Sequence, residues 1–178
     1  MAFRKIKFWS AGCSSGEEAY TIAMIVNELK ETILSGWSIE IVATDISERV
    51  LDIAKKGEYR QYAVKNMPEE YKNRYLTFSN GIYTVKEELK NYIKFSNVNL
   101  NNDMSMLFMK GFDIIFCKNV LIYFDLASKK RVISHFFNAL DVGGNLFIGF
   151  SESLFGVDSR FKLVHFPGGM AYRKDIHI

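Results

Sequence analysis

Proline is almost missing from this chain, with only Pro68 and Pro167 among 178 residues, and no repeat, linker or low-complexity tract interrupts it. Cysteine is as scarce: Cys13 and Cys117 stand far apart at what read as strand ends, which points to reduced structural thiols rather than a disulfide framework. The three histidines, His135, His165 and His177, form no ligand spacing with cysteine or carboxylate, so no metal site is expected. No run of 18 apolar residues occurs and no signal-like segment precedes the first strand. A cytoplasmic protein without direct membrane insertion is therefore expected. Charge of one sign is also lacking: 23 Lys and Arg against 20 Asp and Glu leave a net +3, too weak to imply nucleic acid.

What is present is apolar and aromatic. Hydrophobic residues make up 48% and aromatic residues 15% of the chain, enough for a sizeable core, and the length suits one domain over 1–178. The chain is organised around Phe8 to Tyr20, a buried strand that breaks into a loop bearing Gly12 and Gly16 and reopens as a helix. The glycines let the backbone turn sharply and approach a ligand closely. Ser14 or Ser15 is placed to cap the helix, whose apolar set is Ala19, Ile22, Ala23, Val26, Leu29 and Ile33. Phosphate loops use Gly-Lys-Ser/Thr or a third glycine at such a helix start. Here Glu17 and Glu18 stand there and would repel phosphate, which suits a ligand with positive charge and hydroxyls, such as S-adenosylmethionine. The alternative is that both glutamates only complement the helix dipole. The spacing Gly12-x-x-x-Gly16 also lacks the Gly-x-Gly-x-x-Gly of NAD-dependent dehydrogenases.

Ile39 to Thr44 reads as a second strand ending on Asp45, with Ser47 capping a short helix through Val50, Leu51 and Ala54 that Gly57 closes. Strand, glycine loop, helix, strand and terminal carboxylate make the first half of a Rossmann-like unit, in which the carboxylate accepts from ribose hydroxyls. Asp45 as mere helix decoration is the competing reading. Residues 58–98 break the alternation and predict a small helix and antiparallel β insertion, with a helix from Pro68 and an Asn80-Gly81 hairpin turn. The chain returns to the main sheet near Phe95. Phe112 to Cys117 is a dense buried strand, followed by a helix with core face Val132, Ile133, Phe136, Phe137 and Leu140, ended by Gly143-Gly144. Leu146 to Phe150 is the next strand, and Phe161–Phe166 with Met170–Arg173, turned by Pro167-Gly168-Gly169, form a C-terminal antiparallel pair. The fold class is α/β and Rossmann-like, with a mostly parallel sheet.

Several segments together resemble the catalytic domain of the CheR family, the chemotaxis receptor protein-glutamate O-methyltransferases. They are Trp9 to Glu18, Ala43-Thr44-Asp45-Ile46, Asn99-Leu100, Phe112 to Asp125, and Gly149-Phe150-Ser151-Glu152-Ser153. The resemblance implies an S-adenosylmethionine-dependent methyltransferase fold, with Ala11, Gly12, Glu18, Asp45, Asn99, Leu100, Lys118 and Asn119 as cofactor contacts and S-adenosylhomocysteine as product. It implies that Tyr123 lies beside the transferring methyl group; without it, a core aromatic is the plainer reading of that residue. Lys118 stands where many relatives carry arginine, so the charge is kept and the planar fork is lost.

The implied reaction is methyl transfer to glutamate side chains of a methyl-accepting chemoreceptor cytoplasmic domain, by an enzyme expected to be monomeric. A glutamate is ionised near neutral pH, with a pKa of about 4.3, so no strong general base is required. Family members also carry an N-terminal helical domain and an Asn-x-Thr-x-Phe-Phe-Arg type linker that nothing in this sequence supplies, so the chain reads either as a fragment or as a stand-alone domain. A non-catalytic cofactor-binding or docking module is therefore a competing function, and methylation of a small molecule is another. In some relatives the antiparallel insertion docks a receptor's C-terminal peptide; the tight Asn80-Gly81 turn predicts against that here.

Overall fold

The computed structural model describes residues 4–175; His177 lies outside them. In chain order the elements are β1 (Lys5–Ala11), α1 (Glu17–Lys30), β2 (Ser38–Asp45), α2 (Glu48–Lys56), β3 (Glu58–Arg60), α3 (Glu69–Tyr75), β4 (Leu76–Ser79), β5 (Ile82–Val85), α4 (Glu87–Lys90), β6 (Ile93–Asn97), α5 (Asp103–Met106), β7 (Phe112–Cys117), α6 (Leu126–Ala139), β8 (Leu140–Ile148), β9 (Phe161–Phe166) and β10 (Gly169–Lys174). A 3-10 turn, Leu121–Tyr123, separates β7 from α6. The main sheet has seven strands in the order β6-β2-β1-β7-β8-β10-β9, and a small sheet has the order β3-β5-β4. The pairs β2–β6, β1–β7 and β7–β8 are parallel; β8–β10 and β9–β10 are antiparallel, as is the small sheet. Among the described residues no helix is long and apolar enough to cross a membrane.

By internal contacts the chain divides into two compact units, one built on Cys13–Asn97 and the other on Ile6–Gly12 together with the chain from Val98 onward. In the first, Ile41, Val42, Ala43 and Thr44 are all buried, the continuous burial expected of a parallel strand covered on both faces. Helix α1 buries Ala19, Tyr20, Ile22, Ala23, Met24 and Val26. Leu29 is only half-buried, and Ile33 does not belong to the helix at all. Because α1 stops at Lys30, Ile33 is 71% exposed and Leu34 turns inward in its place. The insertion forms as its turn chemistry dictates: Asn80 and Gly81 have φ of 50° and 79°, the two positive values a type I′ hairpin turn requires.

The second unit packs Trp9 of β1 against Phe112 of β7 and Phe136 of α6, with ring centroids 5.1 and 5.2 Å apart. Helix α6 buries Val132, Ile133, Phe136 and Ala139. It ends at Ala139, not at the glycine pair. Leu140 is already extended, and Gly143 and Gly144 lie within β8, where the β7–β8 register jumps from Phe112↔Leu140 to Ile114↔Asn145. A Cβ on Gly144 would stand 2.9 Å from the Asp141 carbonyl oxygen and 3.1 Å from that of Asp113, so the glycine permits a close backbone approach at an irregular pairing. Strand β8 likewise stops at Ile148, before Phe150, which is fully exposed.

Candidate functional site

In the first unit the loop is held from below by the strand tip. Cys13 N–H donates to the Thr44 carbonyl at 2.8 Å and Ser14 N–H donates to Asp45 Oδ2 at 2.9 Å. The other oxygen, Oδ1, accepts from Ser47 N–H at 3.0 Å. Neither Ser14 nor Ser15 caps α1, because Gly16 occupies the N-cap position in a left-handed conformation, φ 95°. Ser14 is itself left-handed, φ 49°, and the Ser15 hydroxyl donates to the Glu17 carboxylate at 2.8 Å. Ser47 does hold the N-cap position of α2, but its side chain makes no capping bond. The loop is closed from the side by Tyr59 of β3, whose hydroxyl donates to the Ser15 carbonyl at 2.7 Å. Burial, then the charge of Glu17, pushes the Tyr59 hydroxyl above its ordinary pKa, which keeps it a donor. Burial, then Asp45, pushes the Cys13 thiol up to about 12, so this cysteine is a packed thiol and not a nucleophile at neutral pH. Glu18 is half-buried in the first turn of α1.

In the second unit Ala11 is buried as the last residue of β1, and Gly12 follows at φ 77°. A Cβ on Gly12 would stand 2.5 Å from Val120 Cγ2, so the turn after β7 lies directly against the glycine backbone. Asn119 has φ 60°, and its N–H donates to Glu152 Oε2 at 3.1 Å. Asn99 is exposed, its Oδ1 accepting from Asn101 N–H at 3.0 Å. The buried Leu100 offers its carbonyl to His135 Nδ1 at 2.8 Å. Lys118 is exposed. Tyr123 is 81% exposed, on the 3-10 turn, and so is not the core aromatic that burial habit alone favours.

Each unit thus gathers a part of the sequence-derived set, Glu18 and Asp45 in the first, and Ala11, Gly12, Asn99, Leu100, Lys118, Asn119 and Tyr123 in the second. Two contributors had no assigned role in the sequence. Glu152 was legible only as part of a Ser-Glu-Ser motif, although its spacing of three from Gly149 is a turn signal. His135, read only as a failed metal ligand, braces Leu100. Among the described residues no group of three or more His, Cys, Asp or Glu is placed to hold a metal ion.

The residues present fit S-adenosylmethionine. A carboxylate has about four acceptor positions, and Asp45 spends only two on backbone amides, leaving acceptors for hydroxyl donors. In the second unit the absent Cβ of Gly12 is matched by Val120, whose Cγ2 would stand 2.5 Å from it, so that glycine serves the packing of the turn after β7.

Comparisons agree. Residues 1–170 match the family described as CheR methyltransferase, SAM binding domain. Chemotaxis protein methyltransferase 2 of Vibrio cholerae is 36% identical over 170 residues, covering 95% of this chain and 59% of that protein. The chemotaxis protein methyltransferase of Borreliella burgdorferi is 42% identical over 153 residues, 85% of this chain and 54% of that one. The chain therefore spans somewhat over half the length of these relatives. Among solved structures, magnesium protoporphyrin IX methyltransferase from Synechocystis with bound SAM is similar in fold, with a TM-score of 0.53 at 16% identity over 95% of this chain and 68% of that one. With its strand order and its glycine loop, this chain belongs to the CheR methyltransferase family, of which it matches the S-adenosylmethionine-binding domain.

Proposed function

We propose that this protein transfers a methyl group from S-adenosylmethionine to glutamate side-chain carboxylates of chemoreceptor cytoplasmic domains, in the cytoplasm, giving γ-methyl esters. The family match over residues 1–170 carries the reading. The names of the relatives, chemotaxis protein methyltransferases, support the acceptor class. In this reading Glu18 takes the cofactor's ammonium end and Asp45 its ribose hydroxyls. Ala11, Gly12, Asn99, Leu100, Lys118 and Asn119 complete the cofactor contacts. Lys118 contributes a point charge where many relatives have a guanidinium fork.

The cofactor supplies an electrophilic methyl on a sulfonium sulfur, so the acceptor need only be an anionic oxygen. A glutamate with a pKa of about 4.3 already is one. The chain's task is then to orient that carboxylate against the methyl and to exclude water from it. The exposed hydroxyl of Tyr123 is available to an incoming acceptor, and we assign it the orienting role.

The decisive measurement is transfer of labelled methyl to receptor cytoplasmic fragments, as base-labile ester, beside calorimetry with S-adenosylhomocysteine. Label that disappears when the acceptor glutamates are changed to glutamine supports the proposal. Binding of S-adenosylhomocysteine with no transfer to any receptor fragment would replace it with a cofactor-binding or docking module. For Tyr123→Phe, single-turnover transfer is expected to slow at least tenfold, about 1.4 kcal/mol in barrier, with stability within about 0.5 kcal/mol of the parent because the side chain is exposed. An unchanged rate removes the hydroxyl from the mechanism.

A further inference from the structure

Two loops of the second unit converge on a single carboxylate oxygen. Strands β7 and β8 are parallel neighbours, with Cys117 opposite Ile148, so the turns that follow them leave the sheet side by side. Glu152 joins those turns. Its Oε2 accepts from Gly149 N–H at 2.6 Å and from Asn119 N–H at 3.1 Å. Both are hydrogen bonds to an acid side chain, roughly twice the strength of neutral ones when it is ionised. Asn119 stands at φ 60°, a left-handed conformation that asparagine adopts more readily than most residues, and the bond to Glu152 fixes its N–H there. Gly149 is crowded by the same group: a Cβ there would come within 2.6 Å of Glu152 Oε2 and 3.0 Å of Asn119 N. The second oxygen, Oε1, is buried and makes no hydrogen bond to the protein, so the side chain's polar contacts are spent on these two backbone amides.

We propose that Glu152 is a positioning residue. By fixing the Asn119 N–H it holds the Lys118-Asn119 turn, and with it Val120 against Gly12 and the following turn that carries Tyr123, in the conformation competent for cofactor and acceptor. The proposal rests on the reading above that Lys118 and Asn119 contact the cofactor. It goes beyond that reading by naming what holds them, through a residue that itself touches neither ligand. Glutamine keeps one acceptor oxygen for both amides without the charge, whereas alanine keeps none. Gly149→Ala attacks the same clamp from the opposite side by displacing Oε2 while leaving Glu152 in place.

The test uses the full chain and two readouts. Native-state amide exchange at Asn119 and Gly149 reports the clamp without any ligand, and calorimetry with S-adenosylhomocysteine reports its consequence. In Glu152→Ala and Gly149→Ala, exchange at Asn119 is expected to accelerate at least tenfold while amides in the centre of β7 keep their parent rates. Affinity for S-adenosylhomocysteine is expected to fall at least tenfold. Glu152→Gln is expected to restore most of both, within about threefold of the parent. In transfer assays the alanine variant is expected to raise the KM for S-adenosylmethionine more than it lowers kcat. Parent-like affinity in Glu152→Ala overturns the proposal, whatever exchange does. Acceleration spread evenly over β7 also overturns it, because that is loss of global stability. If the parent chain itself does not bind S-adenosylhomocysteine, the cofactor reading fails separately, and unchanged exchange at Asn119 would then dispose of the clamp.

Discussion

Gly16 carries two demands at once. Its φ of 95° excludes ordinary side chains, and a Cβ there would stand 2.9 Å from Ala54 Cβ and 3.2 Å from Ala54 Cα on α2. Gly16→Ala is therefore expected to cost about 2–3 kcal/mol in urea denaturation, from backbone strain plus overpacking. Gly36→Ala is the matched control. It shares a positive φ of 74° but has nothing within 4 Å, so strain alone, about 1 kcal/mol, is expected. Equal costs at the two positions would refute the close approach of the loop to α2. Cys13 makes a second claim at this level. With its thiol pushed up to about 12 by burial and then by Asp45, it is expected to resist iodoacetamide at pH 8 in the folded protein and to react readily in urea. Mass spectrometry of the labelled peptide reads this directly, and equal rates in both states would show that the thiol is open to solvent.

Helix α6 is secured at both ends by side chains from different places. At its start Asp125 Oδ1 accepts from Ser128 N–H at 2.8 Å. At its end Lys174 of β10 donates to the Phe137 and Leu140 carbonyls at 2.8 and 2.7 Å, satisfying acceptors that a helix terminus leaves open. The Ser128 backbone hydrogen bond, then the Ser128 side chain, holds the Asp125 carboxyl below the usual carboxylate range. A carboxyl depressed in the folded state contributes stability that is complete above its unfolded pKa, about 3.9, and that is lost as pH falls through the lower folded value. Asparagine at this position would cap without the charge. The stability difference between the parent and Asp125→Asn is thus expected to be constant from pH 6 to 7 and to shrink as pH falls below about 4. A difference that grows on acidification would show that the carboxylate is not the stabilising species.

For the molecule as a whole, the family assignment predicts linkage between cofactor and folding. At a concentration 100 times its dissociation constant, S-adenosylhomocysteine is expected to add about 2.7 kcal/mol of stability. For a chain of this size that is a rise of about 5–10 °C in Tm. No shift at millimolar ligand would sink the assignment of Glu18 and Asp45 to a cofactor site.

Much of this was readable without coordinates, and the division follows from how far apart the deciding atoms lie. Strand β7, the hairpin turn at Asn80-Gly81 and the closing Gly57 of α2 depend on neighbours a few residues away, and each stands where periodicity and turn chemistry place it. The two loop glycines and the carboxylate ending β2 were legible for the same reason. The errors share the opposite cause. Ser14 does not cap α1, because Gly16 takes the N-cap position, and its backbone N–H is held instead by Asp45, a partner 31 residues on. Gly143 and Gly144 read as a helix stop, because only the pairing with β7 reveals that their backbone must pass close to Asp113. Burial habit alone would have put Tyr123 in the core, whereas the resemblance placed it beside the methyl group, and only folding shows it exposed on a turn; Glu152 acquired a purpose only when Asn119, 33 residues earlier in the chain, came within hydrogen-bond reach. Local order in a chain is written in spacing and residue type, so pattern locates the elements and motif resemblance names the kind of ligand, while element ends such as Lys30 and Ala139 wait on packing. Which backbone amide a carboxylate will hold depends on strand pairing across the sheet, and that is settled only when distant segments pack.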